Sequence, residues 1–375
     1  MSSTSFVRRL AGAAGLVVFA ACSEGPGGPT PLIDPAGTSA RLDAVHGALT
    51  APVVRSFTRF SGGIAPPAAG LGPAVSLLVV ASPALARPGE SPYALGARRA
   101  LRLRELAPEL STGASLVRII PDTLWGSVFR WDSASSGYYR AAPGGGPANG
   151  MRFILYAVDD AGQISYPLTE VGYVDLLDES TETSARLHIN VRSVDGSLTF
   201  VDYVVAITPA ANGFSAAASG SITGALSFAV TVSASATQSA VTTAVDATLD
   251  VTSSATRVEL HEGATFTASG GAIAIDFRLS PPGETVQLQG LFTVSTVTPD
   301  SAAVTVNATI RANGRVLATV QGAPPHELTF RDGEGTPMPG GPVLDMLGKL
   351  MQAVGDVFQF IHGLFGPVGN LFGGV

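Results

Sequence analysis

With 375 residues, the chain can bury a substantial core as one large β-rich domain or two smaller ones. Charged residues make up 14% and glycine fills 44 positions, a composition that suits extended strands and tight turns better than long surface helices. A net charge of −7 disfavours a nucleic-acid partner, and a single cysteine excludes both an internal disulfide and a zinc site built from thiolates.

Met1 to Ala21 reads as a secretory leader. Arg8 and Arg9 form its charged start, and Leu10 to Ala21 is an apolar core too short for a permanent membrane span. The end of that core, Phe19-Ala20-Ala21-Cys22, resembles the lipobox of bacterial lipoproteins, in which two small residues precede an invariant cysteine. The resemblance covers the leader alone, and the one cysteine of the chain stands at the required position. It implies that Cys22 becomes the mature N-terminus and carries acyl chains, which at about 0.8 kcal/mol per buried methylene hold a protein on a bilayer essentially permanently. Ser23 and Glu24 lack the aspartate that retains some such proteins at the inner membrane, which leans the expected address toward the outer one. Without Arg8 and Arg9, 20 basic residues face 29 acidic ones. Residues 22–37 then form the lipidated cysteine and a Gly/Pro-rich tether.

A helical lead-in is expected over residues 38–110. Thr38 or Ser39 can cap a helix with Leu42, Val45, Leu49, Val53 and Phe57 on one side, kinked or split at Pro52. The apolar run Ala74 to Val80 fits helix or strand. Arg98, Arg99, Arg102 and Arg104, threaded by Leu101, Leu103 and Leu106, read as a solvated helix face, with a patch for anionic headgroups as the functional alternative.

From residue 115 to 321 the texture is antiparallel sheet. Val128 to Asp132 and Tyr138-Tyr139 make an aromatic hairpin, whose Trp131, Tyr138 and Tyr139, with Trp125, read as cross-strand packing rather than a stacking site for a flat ligand. The runs Pro147 to Tyr156 and Glu170 to Glu179 resemble segments of uncharacterised bacterial envelope proteins, a likeness that brings no function with it. Leu187, Ile189 and Val191 alternate with Arg186, His188, Asn190 and Arg192, and the pattern repeats at Leu226 to Ser233 and at Val304 to Arg311. Such a period of two gives one apolar and one polar face. Turn signals at Asp195-Gly196, Asn212-Gly213, Gly270-Gly271, Pro281-Pro282-Gly283 and Asn313-Gly314 divide the run into a meander. Aromatics at only 7% argue against a membrane barrel.

Residues 322–342 read as loop, and 343–375 as a C-terminal amphipathic helix. Its wide apolar face includes Leu347, Leu350, Met351, Val354, Phe358, Ile361 and Phe365, the candidate cover or lid for the apolar side of the sheet. Asp345, Lys349 and Asp356 argue against a spanning segment. The expected fold is therefore mainly β with flanking helices (α+β): a large curved antiparallel meander covered on one face by N-terminal helices and the C-terminal helix.

No constellation of catalytic residues emerges. His261-Glu262 lacks the second histidine of a helical zinc site, and Gly220-Ser221-Ile222-Thr223-Gly224 places Ile at the position of an elbow nucleophile. Asp175, Asp178, Glu179 and Glu182 lack the glycine turn and ordered spacing of a calcium loop. The expectation is no enzyme, no cofactor and no metal site. Two functions fit a membrane-anchored envelope lipoprotein with this pattern. One binds or carries a hydrophobic small molecule between sheet and helices, in an architecture similar to the half-barrel carriers of lipoprotein trafficking at the level of fold alone. The other is a structural or protein-interaction module with a filled core and a Ser/Thr-rich face.

Overall fold

The strand that carries Leu187, Ile189 and Val191 is one of fifteen in one curved sheet. The computed structural model describes residues 33–51, 119–135, 137–159, 164–210, 213–237, 239–267, 270–298, 301–323 and 328–372. The lipobox-like segment with Cys22, the positions Val53 and Phe57, the run Ala74 to Val80 and the Arg98 to Arg104 cluster lie outside the described residues. Strands β1 (Ser127–Asp132) and β2 (Gly137–Pro143) form the aromatic hairpin. The meander then runs through β3 (Gly150–Tyr156), β4 (Glu170–Asp178), β5 (Ala185–Arg192), β6 (Thr199–Ala210), β7 (Gly213–Ile222) and β8 (Leu226–Ala236). It continues through β9 (Ala240–Val251), β10 (Thr256–Thr267), β11 (Gly270–Ser280), β12 (Val286–Thr298), β13 (Ser301–Ala312), β14 (Arg315–Gly322) and β15 (Thr329–Asp332). Every strand from β3 to β15 pairs antiparallel with its sequence neighbour, and β1 joins β3 in parallel. The order ends on two different edges, β15 and β2, so the sheet is open.

The turn chemistry sets the register. Asn313 and Gly314 both take positive φ, 51° and 81°, the left-handed pair that closes a two-residue hairpin with the twist of its strands. In the β11–β12 turn, Gly283 takes φ 80° after Pro281-Pro282. One ladder row crosses nine strands through Leu176, Ile189, Tyr203, Gly220, Phe228, Leu249, Val258, Leu279 and Val286. Apart from Gly220, these residues are buried and face the helices. The β3–β4, β5–β6, β7–β8, β9–β10, β11–β12 and β13–β14 connections all fall at one end of the sheet, here the proximal end.

Helix α1 (Pro35–Leu49) enters at that end. Asp34 is its cap, accepting from the Ala36 N–H at 3.1 Å, and Pro35 supplies a preset φ at the first helical position. The expected cap at Thr38 or Ser39 is thus four to five residues late, and the tether gives up Pro35 to Gly37 to the first helical turn. Thr38 is instead fully buried and donates to Glu284 Oε2 at 2.9 Å. The same carboxylate accepts from Arg41 Nη1 at 3.0 Å and, through Oε1, from the Asp34 N–H at 3.3 Å. An anion at a helix N-terminus also complements the helix dipole. Glu284→Ala should cost roughly 1.5–3 kcal/mol, the range for hydrogen bonds to a charged group. Hydrogen exchange should locate the loss in α1, whose amides exchange faster while those of β5 and β6 keep their protection.

The C-terminal helix, α2, spans Pro342–Phe372, within a residue of the expected start. Leu347, Leu350, Ile361 and Phe365 are at most 1% exposed, Val354 is buried, and Met351 and Phe358 are half-buried against the same core. The helix meets the sheet directly. Tyr203 Oη donates to the Leu364 carbonyl at 2.9 Å, and the rings of Phe228 and Phe360 meet edge-on at 5.2 Å. Helices α1 and α2 are joined by Leu42, Val45 and Leu49 inside and by a polar seam outside: Lys349 Nζ to Asp43 at 2.5 Å and His46 Nδ1 to Asp356 at 2.8 Å. Among the described residues the sheet begins at Ser127, and it reaches Asp332 rather than 321, because β15 forms inside the segment expected to be loop. Phe330 is its one apolar inward residue, half-buried opposite Val320, so four residues carry too short an alternation to stand out.

Candidate functional site

The outer face, opposite the helices, gathers the polar side chains that the sequence scatters. A row runs from Asp246 on β9 through His261, Asp276 and Gln289 to Thr309 on β13. His261 Nδ1 lies 2.7 Å from Asp246 Oδ1, and both side chains are exposed. Asp276 accepts from the Gln287 amide at 2.8 and 3.0 Å and from the Gln289 amide at 3.0 Å. The adjoining row is Gly263, Ala274, Leu291 and Asn307. Its small members leave a shallow open depression of about 630 Å³. The lining offers amide, hydroxyl and carboxylate groups, suited to hydrogen bonding with a polar partner. His261 and Glu262 are consecutive on β10 and point to opposite faces, so they do not form one ligand set.

A second cluster lies on β4 to β6. His188 on β5 places Nδ1 3.1 Å from Glu179 Oε1 and Nε2 2.7 Å from Asp202 Oδ1, while Arg186 Nε donates to Glu179 Oε2 at 2.9 Å. The two carboxylates meet opposite sides of the ring, so they satisfy the imidazole as hydrogen-bond partners and cannot converge on one ion. Among the described residues, no group of three or more His, Cys, Asp or Glu side chains is arranged to hold a metal. The acidic run is consumed locally. Asp175 takes Arg152 in a two-point contact at 2.7 and 2.8 Å, with that guanidinium 3.9 Å over the Tyr173 ring. Asp178, buried, accepts from the Ile120 N–H at 2.8 Å and the Ser180 N–H at 2.9 Å.

The aromatic hairpin packs on its own sheet. Phe129 stacks on Phe153 at 4.6 Å, Tyr138 meets Phe153 and Trp131 edge-on, and Tyr138 Oη donates to the Ile154 carbonyl at 2.8 Å. Burial pushes the Tyr138 and Tyr203 phenols well above their usual range. Trp125 Nε1 donates to the Ile120 carbonyl at 3.2 Å, and Trp131 Nε1 donates to Tyr166 Oη at 3.1 Å. These are cross-strand and loop contacts. Of the other histidines, His46 sits in the helix seam, His326 lies outside the described residues, and His362 falls within α2.

Sequence reasoning missed the His188 cluster and the outer depression. Both are made by residues that become neighbours only through register: His188 and Asp202 are fourteen positions apart, and Asp246 and His261 fifteen. The usable signal was the polar phase of the alternation, which holds His188, Asp246, His261 and Asp276 on one face. Comparison of the chain with protein-family models, with curated proteins and with solved structures finds no match.

Proposed function

We propose that this protein is a lipid-anchored envelope lipoprotein, held through an acylated Cys22 and placed at the outer membrane, whose body is a structural and protein-interaction module. The single observation behind the choice of module over carrier is where the apolar face of α2 goes. Leu347, Leu350, Val354, Ile361 and Phe365 are buried in the same cluster as the inward residues of β5 to β13, and Tyr203 holds the helix backbone. A lid over a ligand would keep such side chains for its cargo; here they are used on the sheet. The anchoring half of the reading is supported by Phe19-Ala20-Ala21-Cys22 and by the following Gly/Pro-rich segment. The outer face supplies the partner surface: hydroxyl, amide and carboxylate side chains in rows across β9 to β13 suit another envelope protein better than an apolar small molecule.

The discriminating experiment is purification of the protein followed by mass spectrometry of an organic extract, with the covalently bound acyl chains counted separately on the N-terminal peptide. The module reading predicts no stoichiometric non-covalent lipid, whereas one equivalent of co-purified hydrophobic molecule displaced by an apolar probe would establish the carrier reading instead.

A further inference from the structure

Seven large apolar side chains are exposed among the described residues, and five of them lie at the proximal end of the sheet, four in two neighbouring connections and one at the start of a strand. Tyr166 and Leu168 lie in the β3–β4 connection, with Val171 at the start of β4. Val194 and Leu198 lie in the β5–β6 turn, 57% and 60% exposed. The two connections are adjacent, since Tyr173 pairs with Arg192 and Arg192 with Thr199. They also project. Beyond the ladder row through Leu176, Ile189, Tyr203 and Val286, β4 carries six residues toward the proximal end and β6 carries four, whereas β12 begins on that row at Val286.

The same end receives the N-terminal segment. Asp34 is fixed to Glu284 in the β11–β12 turn, so the chain from Cys22 meets the body at the proximal end. Twelve residues, 22–33, reach about 40 Å when fully extended. The eight ladder steps from β12 to β4 measure at most about 40 Å along the sheet. A bilayer that holds Cys22 is therefore within reach of the exposed apolar rim. Among the charged groups of the rim, Glu170 is paired with Arg130, while Asp195, exposed and held in its charged form by Ser193 and Ser197, limits the β5–β6 turn to headgroup depth, where water still reaches the carboxylate.

We infer that residues 164–169 before β4, the start of β4 and the β5–β6 turn form a second membrane contact, in which Tyr166, Leu168, Val171, Val194 and Leu198 enter the interface of the bilayer that carries the acyl anchor. The inference rests on the lipoprotein reading above. Tyrosine with aliphatic neighbours is the chemistry of that interface, where amphipathic rings sit at headgroup level. The contact orients the body, proximal end toward the lipid and outer face along the flank of the sheet, open to a partner.

Trp131 reports on the rim directly, because its indole N–H is bonded to Tyr166. The acylated protein with Trp125→Phe retains Trp131 as its only tryptophan and is reconstituted into phosphatidylcholine vesicles, with or without bromine on the upper acyl chain. Flotation measures anchoring, and loss of Trp131 emission in brominated vesicles measures rim contact. The expected result is flotation with quenching, and loss of the quenching but not of the flotation in Tyr166→Ser/Leu168→Ser/Leu198→Ser. Flotation without quenching overturns the rim contact and leaves the anchor standing, as does a rim variant that changes the oligomeric state instead. Failure to float, with no quenching, overturns both.

Discussion

Phe365→Ala should lower the unfolding free energy by about 3–5 kcal/mol, the range for emptying a buried phenylalanine site. Phe365 is 1% exposed on the sheet-facing side of α2, and it follows Leu364, whose carbonyl accepts the Tyr203 hydroxyl. The neighbouring helix atoms cannot collapse into the space without breaking that bond, which puts the expected cost near the upper part of the range. Against a total stability of roughly 5–15 kcal/mol for a folded protein, such a loss is large. Urea unfolding should show the midpoint falling with little change in slope, because the surface exposed on unfolding is nearly the same. Gln359→Ala, at an exposed position of the same helix, is the control and should stay within about ±0.5 kcal/mol. Equal effects at the two positions would mean that α2 is not seated on the sheet.

Cys22→Ala should give the other large effect, a change of compartment rather than of stability. One acyl chain binds a membrane only marginally, so permanent anchoring depends on the several chains that a lipobox cysteine receives. The variant should remain as an unacylated precursor, and its N-terminal peptide should lack the mass of the acyl groups expected on the unsubstituted protein. Its distribution between membrane and aqueous fractions should change accordingly. An unmodified N-terminal peptide in the unsubstituted protein, with unchanged fractionation on substitution, contradicts the anchor.

The sheet was legible because its alternation is regular and its turns carry strong local signals. Leu226, Phe228 and Val230 face the helices and Ser227, Ala229 and Thr231 face outward, as their two-residue spacing requires. Asn313-Gly314 closes a hairpin because both positions need positive φ. The apolar stripe of the last helix was equally plain, and so was its need for a covered surface. Less legible were features that depend on distant residues. Thr38 looks like a helix cap in sequence, yet Glu284, 246 positions away, draws its hydroxyl into a buried contact, and Asp34 caps instead. β15 forms because β14 presents a pairing edge, which no local pattern records. The rim was hidden for a related reason. Val171, Val194 and Leu198 look like ordinary strand residues until the register places them at the end where the chain enters α1.

The candidate site follows the same division. The polar phase of the strands named the outer face, but not that His188 would stand between Glu179 and Asp202, nor that Gly263 and Ala274 would leave a depression beside Asp276. Those arrangements are products of strand pairing between residues nine to fifteen positions apart.

Native-state hydrogen exchange of α2 tests the central claim most directly. If the helix is part of the filled core, amides from Leu347 to Leu364 exchange only through global unfolding, with the same protection and the same urea dependence as those of β5 and β6. Rapid exchange throughout α2 while β5 and β6 remain protected would show a helix that lifts from an intact sheet, and would contradict the account.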